Sequence, residues 1–280
     1  MKLKLRHTQK LGDAVNTIAM WIVGLAMAFP LLWMVSSSFK VEAEIFKFPI
    51  EWIPSAPTMQ NYAQVWTGKY DFFNYYWNSI YVTGATVILA TIINTTAGYA
   101  FGRINFKGRD GIFLVYLCAM MIPQQVTLIP RYMIFNTLGM LDTHLALILP
   151  GMFRVLCVFL MRQFFMQIPY DYTEAARIDG ANEFTIFSRV ILPMAKPALM
   201  TTIILVFTWS WNDYEDPLIF LISEKLFTLP LGLNHFKDEL GTQYGPLMAA
   251  SFSSMLLLVV VFLCGQKTFI EGLTSGGVKG

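Results

Sequence analysis

One polar stretch in an otherwise largely apolar sequence has the residue types and spacing of a docking surface. Glu174 supplies a carboxylate, and the small side chains of Ala175 and Ala176 would let a second surface approach the backbone closely. Gly180 and Pro193 follow at positions where each residue type can end or bend a helix. The chemistry that this pattern suggests is charge pairing and close packing with another surface.

Two short helices are predicted to position these residues. The first covers 172–181, where Asp171 or Thr173 can cap the start and the helix dipole favours the negative charge of Glu174. The second is predicted to end at Pro193. Its apolar ridge, at helical spacing, consists of Phe184, Phe187 and Val190. An amphipathic loop that only caps a helix bundle would explain the same residues.

The composition favours a polytopic membrane protein over a soluble domain. Apolar residues make up 55% of the 280 residues and charged residues 14%. The formal net charge of +2 makes nucleic acid an improbable partner. Cys118, Cys157 and Cys264 lie in apolar runs without CxxC spacing, and the histidines are scattered, so neither disulfides nor a metal site is expected.

Runs of about 20 mostly apolar residues predict an all-α fold with six transmembrane helices. The predicted spans lie near 14–36, 76–101, 111–135, 143–165, 197–216 and 245–268. The second contains Asn94 and Gly98, which suit contacts between helices, and the third contains Pro123 and Pro130, which predict a bend. The transmembrane domain is therefore 14–268, flanked by an N-terminal segment, 1–13, and a C-terminal tail, 269–280.

Lysine and arginine predict the orientation of these spans. Basic residues gather at the N-terminus and near residues 103–109 and 162–196, whereas acidic residues dominate the intervening segments. The positive-inside rule then places both termini and the segment 170–193 in the cytoplasm. The connections 37–75 and 217–244 lie outside, and a short interfacial helix is predicted over 59–67.

The polar stretch resembles the EAA loop of ABC importer permeases, through which a membrane subunit meets a separate ATPase. The pattern is Glu174-Ala-Ala, three residues, Gly180, nine residues, Val190, one residue, then Leu192-Pro193, and it falls between predicted spans four and five. The resemblance implies that Glu174, Ala175, Ala176, Asp179, Gly180 and Pro193 contact the ATPase.

Further segments resemble the carbohydrate-uptake branch of these permeases, the MalG-type subunits. They are residues 121–143, 159–165, 209–214, 229–233 and 269–280. The resemblance implies the type I ABC importer permease fold in a bacterial or archaeal plasma membrane. It also implies a second, non-identical permease, two ATPase subunits that bind ATP and Mg, and an extracellular or periplasmic binding protein that delivers a sugar. No cofactor is expected on this chain.

The C-terminal residues can be explained in two ways. Gly276, Gly277 and Gly280 allow an extended, closely packed backbone, and Lys279 adds a charge. A frayed terminus is the usual fate of such residues. The resemblance to MalG-type tails instead implies insertion between the two ATPase subunits.

Two features could line a path for a sugar. Near the outer end of span five, aromatic rings could stack on a sugar and an amide could bond its hydroxyls; an aromatic belt at the membrane surface is an equal alternative. These residues are Trp209, Trp211, Asn212 and Tyr214. Arg154, near the middle of span four, could face the path, the partner permease, or a counter-charge such as Asp213 or Glu215.

The sequence disfavours two other classes of function. A stand-alone channel or secondary transporter is disfavoured because coupled carriers usually need carboxylates in mid-span, and none is predicted there. A membrane enzyme is disfavoured because the sequence has no HExxH, no GxSxG and no clustered His, Asp or Glu at membrane depth. It also lacks GxxxxGK[ST], so ATP hydrolysis is expected on partner chains.

Overall fold

Helices account for most of the fold. The structure, a computed structural model, describes residues 2–238 and 241–275, with side chains from 13 to 237 and 241 to 268. The first eight helices are α1 Lys2–Ser38, α2 Glu42–Ile45, α3 Gln60–Thr67, α4 Phe72–Arg103, α5 Arg109–Cys118, α6 Leu128–Thr137, α7 Leu145–Gly151 and α8 Val155–Gln167. The others are α9 Asp171–Ile178, α10 Glu183–Thr185, α11 Leu192–Met194, α12 Lys196–Trp211, α13 Glu215–Phe220, α14 Leu229–Gly232 and α15 Tyr244–Ser275.

Short irregular elements join these helices. Single 3₁₀ turns lie at Ala119–Met121, Gln124–Thr127, Glu224–Leu226 and Leu233–Phe236, and a π-helical turn lies at Ile186–Ile191. Two strands, β1 Lys237–Asp238 and β2 Gly241–Thr242, pair in antiparallel register, with Lys237 opposite Thr242 and Asp238 opposite Gly241.

Four helical segments in the described chain are long and apolar enough to cross a membrane alone. They are Asp13–Ser38, Phe72–Arg103, Leu145–Gln167 and Tyr244–Thr268. Two bent pairs raise the number to six if each pair forms one span. One pair joins Arg109–Met121 to Gln124–Thr137 at 92°, and the other joins Glu183–Met194 to Lys196–Trp211 at 82°.

The bends follow the prolines, but the helix ends differ from the sequence expectations. The bend predicted in the third span is present: the chain leaves the helical conformation at Ile122 and Pro123, which lacks the N–H that would continue the helix. The fifth helix ends at Trp211 and not at 216, because Asn212 closes it by binding the Thr208 carbonyl. The sixth continues to Ser275, beyond the predicted start of the tail.

The chain folds into two units, and residues 1–71 with 233–255 make up the first. Here α3 corresponds to the predicted short helix at 59–67. Asn61 on α3 donates through Nδ2 to the carbonyl of Ser38 (2.9 Å), the last residue of α1, and to that of Lys40 (2.8 Å), two residues later. The carboxylate of Glu42 accepts the backbone N–H groups of Tyr244 and Gly245, both at 2.8 Å. Both contacts satisfy backbone groups that a helix end leaves open.

The second unit, residues 72–232 with 256–280, is built around α4, which packs against α8 and α12. Small residues let the helices approach closely: a Cβ built on Gly98 would lie 2.6 Å from the Cβ of Met161 on α8. Asn94 lies in the same helix and is fully buried. The sequence prediction that Asn94 and Gly98 serve contacts between helices is therefore confirmed.

The close approach at Gly98 can be tested by adding one methyl group. Gly98→Ala should lower the free energy of unfolding by about 1–3 kcal/mol, because an overpacked contact forces two backbones apart. Gly84→Ala is the matched control on the same helix, since a Cβ there meets nothing within 4 Å. Thermal unfolding of the purified chain measures both; equal melting temperatures for the two variants would contradict the packing argument.

Candidate coupling surface and membrane cavity

The segment 170–193, called the coupling segment below, folds as two short helical pieces joined by a glycine turn. The first piece, α9, ends at Ile178 with Asp179 as its C-cap, and Gly180 takes a φ of +82°, a conformation that glycine adopts without strain. Glu174, Ala175 and Asp179 are exposed, and Ala176 is half-buried. Glu174 makes no ion pair with any residue whose side chain is described. Its carboxylate is therefore available to a partner.

The predicted start and end of these pieces need correction. Neither Asp171 nor Thr173 caps α9: Tyr170 occupies the N-cap position without a side-chain bond, and Thr173 is buried one turn into the helix. The second piece does not stop at Pro193, which is exposed. It runs from Glu183 to Met194 before bending, because a proline at the start of a helical turn forfeits no hydrogen bond that the turn needs.

The predicted apolar ridge divides into two faces. Phe187 and Val190 pack inward against a buried cluster that includes Tyr99, Phe165 and Ile186. Phe184 instead points outward and is 76% exposed, and Ile178 on α9 is 86% exposed. Large apolar side chains this exposed next to an unpaired carboxylate are typical of a surface that a partner covers.

Arg103, the last residue of α4, holds the coupling segment in place. The residue is 5% exposed, and its guanidinium donates to the carbonyls of Ile168 (2.6 Å), Pro169 (3.3 Å) and Phe165 (3.4 Å), which follow or end α8. It also donates to the Thr173 hydroxyl. The guanidinium lies 4.6 Å from the ring centroid of Tyr170, whose hydroxyl donates back to the Arg103 carbonyl at 3.1 Å.

Glu183 makes a second link between the segment and α4. Its carboxylate pairs with Arg177 across the Gly180 turn and accepts a hydrogen bond from the Tyr99 hydroxyl at 3.2 Å. Asn182 caps the following helix by accepting the Thr185 N–H at 2.8 Å. The exposed face thus lies on a segment that is fixed at both of its helices.

Only part of the predicted sugar path comes together. Arg154 and Trp209 line one cleft of about 560 Å³, and the guanidinium lies 5.5 Å from the Trp209 ring centroid. Trp211 is 3% exposed and packs against Tyr76 and Phe207, so it does not face the cleft. Asn212 and Tyr214 are exposed, and neither lines that cleft.

Arg154 lies near the middle of the candidate span Leu145–Gln167, as predicted, but at a break in its helix. The break falls between α7 and α8, and Asn94 bridges it by donating to the Met152 carbonyl and accepting the Arg154 N–H, both at 3.2 Å. The Arg154 side chain donates to the Gly151 carbonyl at 3.1 Å. Of the alternatives for Arg154, an ion pair with Asp213 or Glu215 is absent among the described residues, although both carboxylates line the same cleft.

The charge pair that the sequence analysis missed joins Arg131 to Asp216. Arg131 donates both terminal nitrogens to the carboxylate, at 3.0 and 2.6 Å, and the two side chains are 17% and 7% exposed. With Arg154 and Asp213 they line a cavity of about 170 Å³. The sequence signal that could have found this pair is an arginine within an apolar predicted span, and Arg131 fits that description as well as Arg154 does. Asp216 is buried within the second unit, and Asp213 lines the same cavity.

Comparison with known proteins decides the family. A family model described as "Binding-protein-dependent transport system inner membrane component" matches residues 94–269. The chain belongs to this family. The match spans the coupling segment and the four charged residues that line the cavity, Arg131, Arg154, Asp213 and Asp216, so these features lie within the family's shared region.

Curated relatives of this permease match along nearly its whole length. The probable ABC transporter permease protein YurM of Bacillus subtilis is 36% identical, covering 100% of this chain and 93% of the relative. The arabinooligosaccharides transport system permease protein AraQ of Halalkalibacterium halodurans is 34% identical, covering 98% and 99%. The diacetylchitobiose uptake system permease protein DasC of Streptomyces coelicolor is 32% identical, covering 92% and 94%.

A solved structure shares the fold of this permease. A chain from a bacterial ABC transporter involved in importing the acidic polysaccharide alginate superimposes with a TM-score of 0.83. The match covers 94% of this chain and 98% of that one, at 24% identity. The predicted ABC importer permease fold of a multi-pass membrane protein is therefore confirmed. The tail residues Gly276, Gly277, Lys279 and Gly280 lie outside the described residues.

Removing the Arg103 side chain tests how the coupling segment is held. Arg103→Ala removes the donor that four acceptors share, three of them in buried hydrogen bonds, so we expect the free energy of unfolding to fall by about 1–3 kcal/mol. Arg103→Lys should recover only part of the lost stability, because a single ammonium group cannot donate to all of the acceptors that the planar guanidinium reaches. Lys107→Ala, which removes an exposed charge at the same end of α4, is the control. Thermal unfolding compares the three; a stable Arg103→Ala variant would show that the clamp is dispensable.

Proposed function

We propose that this chain is one membrane subunit of an ATP-driven importer for a sugar or oligosaccharide. The observation that carries the proposal is the exposed face of the coupling segment, where Glu174, Ile178 and Phe184 lie uncovered on a segment fixed to α4. A separate ATPase would cover this face. Relatives whose names state transport of arabinooligosaccharides and diacetylchitobiose support the sugar class.

The complete transporter would contain several chains. It would hold a second, non-identical permease and two ATPase subunits, which bind ATP and Mg, and it would receive its sugar from an extracellular or periplasmic binding protein. Both termini and the coupling segment would lie on the cytoplasmic side of a bacterial or archaeal plasma membrane, as the distribution of lysine and arginine predicts. The tail from Gly276 to Gly280 would reach the ATPase dimer.

Alternating access is the mechanism that this arrangement supports. ATP binding would close the ATPase dimer and carry the two coupling segments with it. Because Arg103 and Glu183 tie the coupling segment to α4, movement of the segment would move α4 as well, and the cavity would open outward to the binding protein. Hydrolysis would return the permeases to the inward-facing state. ATP chemistry stays on the partner chains throughout.

Reversing the charge of Glu174 tests the coupling surface directly. Glu174→Lys should abolish ATPase binding and uptake by like-charge repulsion, with membrane insertion unchanged, because the side chain makes no ion pair within the described chain. Asp13→Lys, an equal reversal at an exposed position on α1, should leave both intact. Copurification of the ATPase and uptake at matched expression are the measurements; normal copurification with Glu174→Lys would overturn the assignment.

Phenylalanine-to-alanine substitutions on the two faces of the second helical piece, Glu183–Met194, should have different effects. Phe184→Ala should weaken ATPase binding about tenfold or more and leave the melting temperature unchanged, because exposed apolar anchors contribute to binding and not to the core. Phe187→Ala should lower the free energy of unfolding by roughly 2 kcal/mol, because it removes a ring packed 4.9 Å from the Tyr99 ring. A swap of the two phenotypes would show that the faces are assigned the wrong way round.

A further inference from the structure

The cavity inside the second unit lies where several helices stop. The break between α7 and α8 contributes Gly151 and Arg154, and the segment between α12 and α13 contributes Asp213. Arg131 on α6 and Thr228 before α14 also line the cavity. Broken helices inside a membrane bundle are tolerated where they surround a polar cavity, and transporters build substrate sites from them.

The size of the cavity suits one six-membered ring. Its volume is about 170 Å³, and an engineered protein cavity of about 150 Å³ accommodates benzene. The larger cleft beside it, about 560 Å³, shares Gln124, Arg154 and Asp213 with the cavity. A chain of linked rings could therefore place one ring in the cavity and the next in the cleft.

The charges around the cavity balance. Arg131 and Asp216 neutralise each other through their bidentate pair, and Arg154 and Asp213 add one charge of each sign. No ion pair within 4.0 Å joins Arg154 to Asp213 in the described part of the chain, so both retain unused hydrogen-bonding capacity. A charge held in such a site needs polar partners, and a net charge added to it would be costly.

Two buried polar atoms of the cavity wall also lack partners. Arg131 Nε and Thr228 Oγ1 are inaccessible and find no hydrogen-bond partner among the described residues. Thr228 is 5% exposed as a residue. Buried polar groups in native structures are nearly always satisfied, so these two atoms favour a polar occupant over an apolar one. Arg131 Nε can only donate a hydrogen bond, whereas the Thr228 hydroxyl can donate or accept one.

In the adjoining cleft, Trp209 supplies an aromatic wall. Its ring faces the Arg154 guanidinium, whose centre lies 5.5 Å from the ring centroid. The indole therefore combines an apolar face for C–H groups with a nearby donor for hydroxyl groups. This pairing matches the two-sided chemistry of a sugar ring.

We propose that this permease itself binds one uncharged sugar ring in the cavity, with Arg131, Asp216, Arg154 and Asp213 as its hydrogen-bonding partners. The next ring of the oligosaccharide lies against Trp209 in the cleft. The proposal rests on the proposed function, because it takes the transported solute to be a sugar. It adds that this subunit contacts the solute and selects against charged sugars.

The test measures sugar binding to the membrane complex with its ATPases in nanodiscs, without the binding protein. The neutral probes are galactotriose and maltotriose, and the acidic probe is digalacturonate. At least one neutral probe should bind about tenfold tighter than digalacturonate, and Arg154→Gln should weaken that binding by about tenfold. The double variant R131Q/D216N, which removes the ion pair without leaving a lone charge, should have a similar effect.

A change of selectivity separates sugar contact from a structural role. Asp213→Asn leaves the cavity with an excess positive charge, so digalacturonate should bind about tenfold better while the neutral probe loses affinity. Lys225→Gln, an exposed change outside the cavity, should alter neither. Binding of no neutral probe, a preference for digalacturonate in the unmodified complex, or unchanged affinities in all cavity variants would each overturn the proposal.

Failure of this inference is distinguishable from failure of the proposed function. The cavity variants leave Glu174, Ile178 and Phe184 untouched, so the ATPase should copurify with each of them. A complex that assembles and imports sugar with unchanged affinities would refute only the sugar site. A chain that never copurifies with an ATPase would refute the proposed function itself.

Discussion

A membrane provides no water to satisfy backbone groups, so each broken helix in this permease must find its partners within the protein. α4 supplies many of them in the second unit. Asn94 bridges the break between α7 and α8, and Arg103 donates hydrogen bonds to the carbonyls at the end of α8. The central helix therefore does more than pack. Its side chains satisfy backbone groups at the break between α7 and α8 and at the end of α8. The first of these interruptions borders the cavity, and the second leads into the coupling segment.

The sequence predicted what depends on local residue order. Hydropathy located the apolar helices, Pro123 located the bend in the third span, and Gly180 located the turn in the coupling segment. Each of these features is set by one residue type acting on its own backbone. The coupling pattern was recognisable for a related reason, because its residues lie within twenty positions and share one short structure.

Contacts between distant positions could not be read in the same way. Arg131 and Asp216 are 85 residues apart, and nothing in either local sequence indicates the other. The capping of α9 was predicted wrongly because Arg103, 70 residues away, engages the Thr173 hydroxyl that was expected to cap the helix. Likewise, the spacing of Phe184 and Phe187 indicated a helix but not which ring would meet Tyr99. Tertiary packing decided all three.

The distance between Asn94 and Arg103 has a consequence for the energetic coupling between the cavity and the coupling segment. They lie nine residues apart on one uninterrupted helix, about 14 Å at 1.5 Å per residue. The same rigid rod thus holds the wall of the cavity at one point and the coupling segment at another. Thermodynamic linkage is reciprocal, so a solute that favours one position of this rod must change the affinity of the coupling segment for whatever binds there. A solute bound in the cavity would then change how tightly the coupling segment binds its partner before any solute has crossed.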